Sequence, residues 1–174
     1  MTKIAVLFLI LGISLVGAYW YSSKEFIPPT QIQDGILSAQ SLSEEQVIEV
    51  FFSPLISLDI LGTSYRASVA RTNEERVKGL SDTPFMPRDI IKLFVFDTED
   101  FWGIWMKDMN YPLDIVWLDG GGVVVHIESA VSPDTYPTVF RPDTPSLFVI
   151  EAVPGFVEEN AIEIGAFIDL QSIL

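Results

Sequence analysis

Cysteine is absent from the 174 residues. Disulfides, thiolate catalysis, cysteine-ligated zinc and a lipid-modified cysteine anchor are therefore excluded. Histidine occurs once, as His126. A lone imidazole cannot build a typical zinc site, which draws nitrogen or sulfur ligands from several residues. Positive charge is scarce too: Lys plus Arg number 10 against 24 Asp plus Glu, a formal net charge of -14. That field repels polyanions, so nucleic acid is a poor partner and anionic headgroups are disfavoured. No G-x-S-x-G elbow is present, and Gly120-Gly121-Gly122 lacks the helix and lysine that a phosphate loop needs. The acidic stretch Asp97, Glu99 and Asp100 lacks EF-hand spacing and reads as a solvated loop. No metal or other cofactor is expected.

What the chain does have is apolar residues, 49% of the total with 12% aromatic, enough for a packed core. Residues 4–21, IAVLFLILGISLVGAYWY, carry no charge. As a helix they reach about 27 Å, close to a hydrocarbon core of ~30 Å. Lys3 precedes the run, and Tyr19, Trp20 and Tyr21 close it like an interfacial belt. The reading is an N-terminal transmembrane helix serving as a single-pass anchor over residues 1–21. A signal peptide cut near Val16-Gly17-Ala18, giving a secreted protein, is the alternative. Either places the remainder outside the cytoplasm.

Residues 22–53 read as a spacer with one short helix, opened by the capping-box pattern Ser43-Glu44-Glu45-Gln46 and stopped by Pro54. Residues 54–174 form the globular domain. Runs 55–61 and 64–70 read as a hairpin, and Thr72-Asn73-Glu74-Glu75 starts a helix ending at Gly79. Strands are expected at 92–96, 102–107, 112–118, 123–128, 147–152 and 166–170, with a short helix at 156–160. If Leu118 pairs with Val123, Ile115 falls opposite His126. The fold class is α+β: a β-rich, mainly antiparallel sandwich or barrel-like domain with short helices.

The segment Trp105 to Asp119 sets Lys107 and Asp114 among large apolar and aromatic residues. Unpaired charges in such surroundings cost several kcal/mol, roughly. Strand alternation puts Asp114 on one face with Val116 and Leu118, and Leu113, Ile115 and Trp117 on the other. A turn through Asn110-Tyr111-Pro112 would fold Lys107 back onto Asp114 as a buried, register-fixing pair. Glu151, at a strand end, either joins them in a small charged cluster or simply caps the edge. The functional alternative is a ligand point at a pocket mouth lined by Trp102 and Trp105. Candidate ligand-binding residues are therefore Trp102, Trp105, Lys107, Asp114 and Glu151.

The motifs V-A-R-T-N-E-E-R-V-K-G-L (69–80), L-F-V-F (93–96), W-M-K (105–107), P-L-D-I-V-W-L-D (112–119), F-R-P (140–142), V-I-E (149–151) and P-G (154–155) occur in that order. Together they resemble the bacterial and archaeal domain of unknown function 192 family, over about residues 57–171. The resemblance implies a compact β-rich domain, often exported or membrane-tethered, and no established reaction. This chain departs from the family pattern at Ser81 (usually Met), at Ile91-Lys92 (usually Gly-Met), at Asp108-Met109 (usually Asn-Thr) and over Ala161 to Ala166. Two functions are expected to compete. One is a binding module for a small molecule, glycan or envelope partner; the other is a hydrolase or lyase acting on envelope polysaccharide through Asp114, Glu151 and Lys107.

Overall fold

The computed structural model describes residues 42–173. The anchor segment and most of the spacer lie outside that range. No helix among the described residues is long and apolar enough to cross a membrane.

Ser43 caps helix α1 (Glu44–Val47) through the reciprocal box with Gln46, and the turn then widens into a π-helix at Ile48–Phe52. The Ser53 amide reaches back five residues to the Ile48 carbonyl at 3.1 Å. A π-turn shifts which side chains share a face, and here Val47 and Phe52, five apart, are both fully buried.

Strands β1 (Leu55–Ile60) and β2 (Thr63–Ala70) form the expected hairpin, antiparallel, about Leu61-Gly62. Thr72 then caps α2 (Asn73–Lys78), again through a capping box, with Glu75 returning to the Thr72 amide. The helix lets β2 and β3 (Ile90–Asp100) run parallel, since parallel neighbours need a crossover. β3 extends past the expected 92–96, so Asp97, Glu99 and Asp100 lie on a strand rather than in a loop.

Strand character over 102–107 is confined to β4 (Ile104–Trp105), which pairs with β7 (Val139–Phe140) in a two-stranded ribbon. The other strands are β5 (Leu113–Leu118), β6 (Val124–Val131) and β8 (Ser146–Ala152); α3 (Phe156–Glu159) follows. β5 and β6 are antiparallel with two register shifts. Those shifts put His126 opposite Trp117 and Ile115 opposite Glu128, correcting the Ile115–His126 pairing.

The main sheet has six strands in the order β1-β2-β3-β8-β5-β6. All its pairings are antiparallel except β2–β3. The order is open, so the fold is neither a closed barrel nor two full sheets face to face. Residues 166–170 do not complete the sheet. They make a single bridge, Phe167 to Val123, and dock by the Ile168 amide on the Gly122 carbonyl at 2.9 Å.

Both faces are covered, so the central strands β3, β8 and β5 are almost wholly apolar along their buried lengths, as two-sided burial requires. One face, with Leu93, Val116, Phe148 and Ile150, is closed by Phe156, Ile162, Ile168 and Leu170. The other, with Phe94, Ile115, Trp117 and Val149, is closed by Val47, Phe52, Leu80, Ile104 and Met106. The Trp117 indole N–H donates to the Trp102 carbonyl at 2.9 Å, so its polar edge is satisfied inside the core.

The docking of the C-terminal segment depends on Gly122. Its φ is +82°, and a Cβ there would stand 2.4 Å from the Ile168 carbonyl oxygen. Gly62 has φ +92° with nothing within 4 Å. Gly122→Ala is expected to destabilise the domain by roughly 3 kcal/mol and Gly62→Ala by only about 1 kcal/mol, read from urea midpoints. Equal effects would mean that the close approach to Ile168 carries no energy.

Candidate functional site

A cleft opens on the second face, between α2 with the turn after it and the segment around β4. α2 supplies Arg76, Val77 and Lys78; Gly79, Leu80 and Ser81 continue that wall. Ile104, Trp105, Lys107 and Met109 form the opposite wall, and Phe94 of β3 and Glu151 of β8 form the floor. Two hydrogen bonds tie the walls together. The Ser81 hydroxyl donates to the Lys107 carbonyl at 2.9 Å, and the Asp82 amide donates to the Asp108 carbonyl at 2.8 Å. Below them, the Asn110 side-chain amide holds the Thr83 carbonyl at 2.9 Å and the Thr83 and Tyr111 hydroxyls are hydrogen-bonded.

The inner slot is small, ≈ 50 Å³. It continues outward into an open groove of ≈ 450 Å³, with Val77, Lys78, Ser81, Trp105 and Lys107 lining both. Asn73, Glu74, Asp82 and Asp108 complete the outer groove. Trp105 is 45% exposed at the mouth, and its ring meets Tyr136 edge-on at 6.4 Å between centroids.

Glu151 is 5% exposed and stands beside Lys92, its register partner on β3. The Lys92 ammonium donates to the Ser68 hydroxyl on β2 at 3.1 Å. Among the described residues no donor reaches the Glu151 carboxyl, and no sealed side-chain oxygen or nitrogen lacks a partner. The unpaired carboxyl oxygens therefore open into the slot that Glu151 lines. Burial pushes this carboxyl up to about 8, with the Lys92 charge opposing the shift. Burial pushes Lys92 down, opposed by Glu151 and Glu75. Tyr111, also buried, is pushed up to about 12.

The five candidate residues do not converge. Trp105, Lys107 and Glu151 share the cleft; Trp102 and Asp114 do not line it. Trp102 instead stacks on Phe96, centroids 4.1 Å apart and planes 8° apart, while Arg76 sits over the same Phe96 ring at 5.2 Å. The Lys107–Asp114 pair is corrected. The Lys107 side chain is half exposed, and its acidic neighbour is Asp108 at 4.0 Å. Asp114 does lie on the Val116 and Leu118 face, opposite Ala152. That face looks away from the cleft, because Glu151 faces the same way as its partner Ile115. Asp114 is only 2% exposed, yet it needs no cation. Three backbone amides serve it: Ala130 at 2.8 Å, Gly155 at 3.0 Å and Val157 at 3.1 Å. It clamps the end of β6 to the start of α3.

Lys92 and Tyr111 are the parts of this site that sequence reasoning missed. Lys92 lies within β3 among apolar residues, and its position opposite Glu151 follows only from β8 pairing with β3.

The described residues thus define a class: an open, mostly antiparallel sheet with a cleft whose floor carries Phe94 and Glu151. The chain belongs to the domain of unknown function 192 family, described as Uncharacterized ACR, whose model matches residues 56–170. No curated protein matches it. A solved protein of unknown function from Novosphingobium aromaticivorans DSM 12444 is similar at 25% identity and a TM-score of 0.59, over 67% of this chain and 83% of that one. A putative transcription regulator from Sinorhizobium meliloti 1021 shares the fold, at 21% identity and a TM-score of 0.59, over 66% of this chain and 90% of that one.

Two expectations follow. Asp114→Ala strips the acceptor from three buried amides and is expected to cost roughly 3–5 kcal/mol of stability, measured by urea unfolding. A loss under ~1 kcal/mol would mean that water replaces the clamp. Glu151 sets a pH dependence. Its folded pKa of about 8 exceeds the unfolded value, so the folded state holds a proton that the unfolded state has lost. Stability should fall as pH rises from about 4.5 to about 8, by at most ~1.4 kcal/mol per pH unit. The lowered carboxyls, Glu75 and Asp89, act in a window below that one, and Lys92, pushed down by burial, acts with the opposite sign in a window that ends at 10.5. Glu151→Gln should remove the slope; a slope unchanged in that variant would place its origin elsewhere.

Proposed function

We propose that this domain is a saccharide-binding module whose site is the groove between α2 and the Trp105–Asp108 segment. The observation that carries the reading is Trp105, a large ring 45% exposed at the mouth of the cleft. It overhangs a groove lined by side chains of both signs. A sugar ring offers one apolar C–H face and a rim of hydroxyls. An indole supports the first, and Lys78, Lys107, Asp82 and Asp108 serve the second by donating and accepting. A groove of ≈ 450 Å³ lies within the range of small-ligand sites, ~300–1,000 Å³.

The hydrolase or lyase reading needs Asp114 and Glu151 around one cleft, and they face opposite sides of the sheet. We place the module outside the cytoplasm, tethered by the charge-free segment 4–21. Protease added to intact cells should then degrade the domain while leaving a membrane-bound fragment.

Trp105→Ala is expected to abolish saccharide binding in glycan-array and calorimetric measurements, with the circular dichroism and unfolding midpoint within about 1 kcal/mol of the parent. Trp102→Ala removes the Phe96 stack and is expected to lower stability instead. A Trp105→Ala variant that binds as the parent does would overturn the assignment.

A further inference from the structure

The proposed saccharide groove ends in a slot whose chemistry names the sugar. In a chain of net charge -14 with only 10 basic residues, three of them, Arg76, Lys78 and Lys107, line this slot, against a single acid. Two of the three are already matched. Lys78 holds Asp82 at 2.8 Å, and Arg76 donates to the Val95 carbonyl at 2.9 Å with Asp97 3.6 Å away. Among the described residues Lys107 has only Asp108, at 4.0 Å. Of the three cations its ammonium has the most capacity to spare among those residues. The acid is Glu151, buried and without a hydrogen-bond partner among the described residues, its carboxyl opening into the slot.

The volume narrows the choice further. At ≈ 50 Å³ the slot holds a water or two or a group of carboxylate size, while a sugar ring needs the groove outside it.

From this geometry we infer that the slot is a carboxylate subsite, so that the ligand is an acidic sugar whose carboxylate is held between the Glu151 carboxyl and the Lys107 ammonium. This rests on the saccharide reading and gives it a substrate class. One ligand oxygen accepts the Glu151 O–H; the other accepts from Lys107. The arrangement needs Glu151 protonated, and its burial provides for that, holding the carboxyl at about 8. The charged and titratable groups around it are Lys92 from β3, Tyr111 from the turn before β5, Arg76 and Lys78 from α2, and Lys107. An O–H donor bonds a carboxylate strongly, whereas an ionised Glu151 repels it.

The test is calorimetry on the full chain in detergent with D-glucuronate, D-glucose and D-glucosamine, at about pH 6 and about pH 9.5. Glucuronate should bind tightest at the lower pH, about tenfold or more over glucose, and weaken about tenfold or more at the higher pH. Glu151→Gln keeps a donor and should retain glucuronate binding within about threefold at the lower pH while losing the pH dependence. Lys107→Met, at a half-exposed position, should weaken glucuronate about tenfold and glucose by less, since the lysine also serves the hydroxyl rim; this arm stands even if the Glu151 variant does not fold. Preference for glucosamine, or the same pH dependence in Glu151→Gln, would overturn the inference. Equal binding of glucose and glucuronate removes the carboxylate subsite and leaves the saccharide groove. No binding of any of the three removes both.

Discussion

The organisation of this domain turns on how a sheet covered on both faces accommodates a carboxyl group near its middle. β8 runs between β3 and β5, so Glu151 has a strand on each side and a hydrophobic layer above and below. An ionised carboxylate there would cost several kcal/mol, roughly, unless fully paired. Lys92 is its register partner, but the ammonium is spent on Ser68, and no ion pair closes. The cost is avoided by retaining a proton. That solution leaves a donor group in the floor, and the cleft walls keep bulk water to a narrow slot.

Asp114 shows the opposite solution on the opposite face. It is as deeply buried as Glu151, but three convergent amides supply the donors that water would have provided. Two of those amides come from the Pro154-Gly155 turn into α3 and one from Ala130, a residue with φ +50°. The backbone is bent around the carboxylate. A satisfied acid of this kind is a structural joint, holding the end of β6 to the start of α3. The two carboxyls, one strand apart in the sheet, therefore have unlike roles because their hydrogen-bond accounts close differently.

Local signals made much of this fold legible. Both capping boxes, the β1–β2 hairpin, the glycine turn after β5 and the alternation of β5 all appear as read, since each depends on neighbours in sequence. The failures share a cause. The Lys107–Asp114 pair, the Ile115–His126 register and the strand at 166–170 each required knowing what a segment meets across the fold or where a bulge falls. Aromatic content suggested a strand across 102–107, yet Trp102 stacks on Phe96 and only Ile104 and Trp105 find a partner strand. Of the site, Trp105, Lys107 and Glu151 were legible as unusual residues. Their shared cleft was not, because nothing local says that β8 lies between β3 and β5.

The departures from the family pattern point the same way as the geometry. Ser81 stands where a methionine is usual, and its hydroxyl holds the Lys107 carbonyl, joining the cleft walls. Lys92, also in place of a methionine, sets its charge beside Glu151. Asp108, in place of an asparagine, supplies the carboxylate nearest Lys107. The shared motifs, by contrast, include joints: P-L-D gives the Asp114 clamp, and the tryptophan that follows it is buried core. Ser81 and Asp108 border the cleft, and Lys92 lies beside its floor residue Glu151. The shared motifs close hydrogen bonds inside the scaffold, whereas the departures gather on the face that carries the cleft.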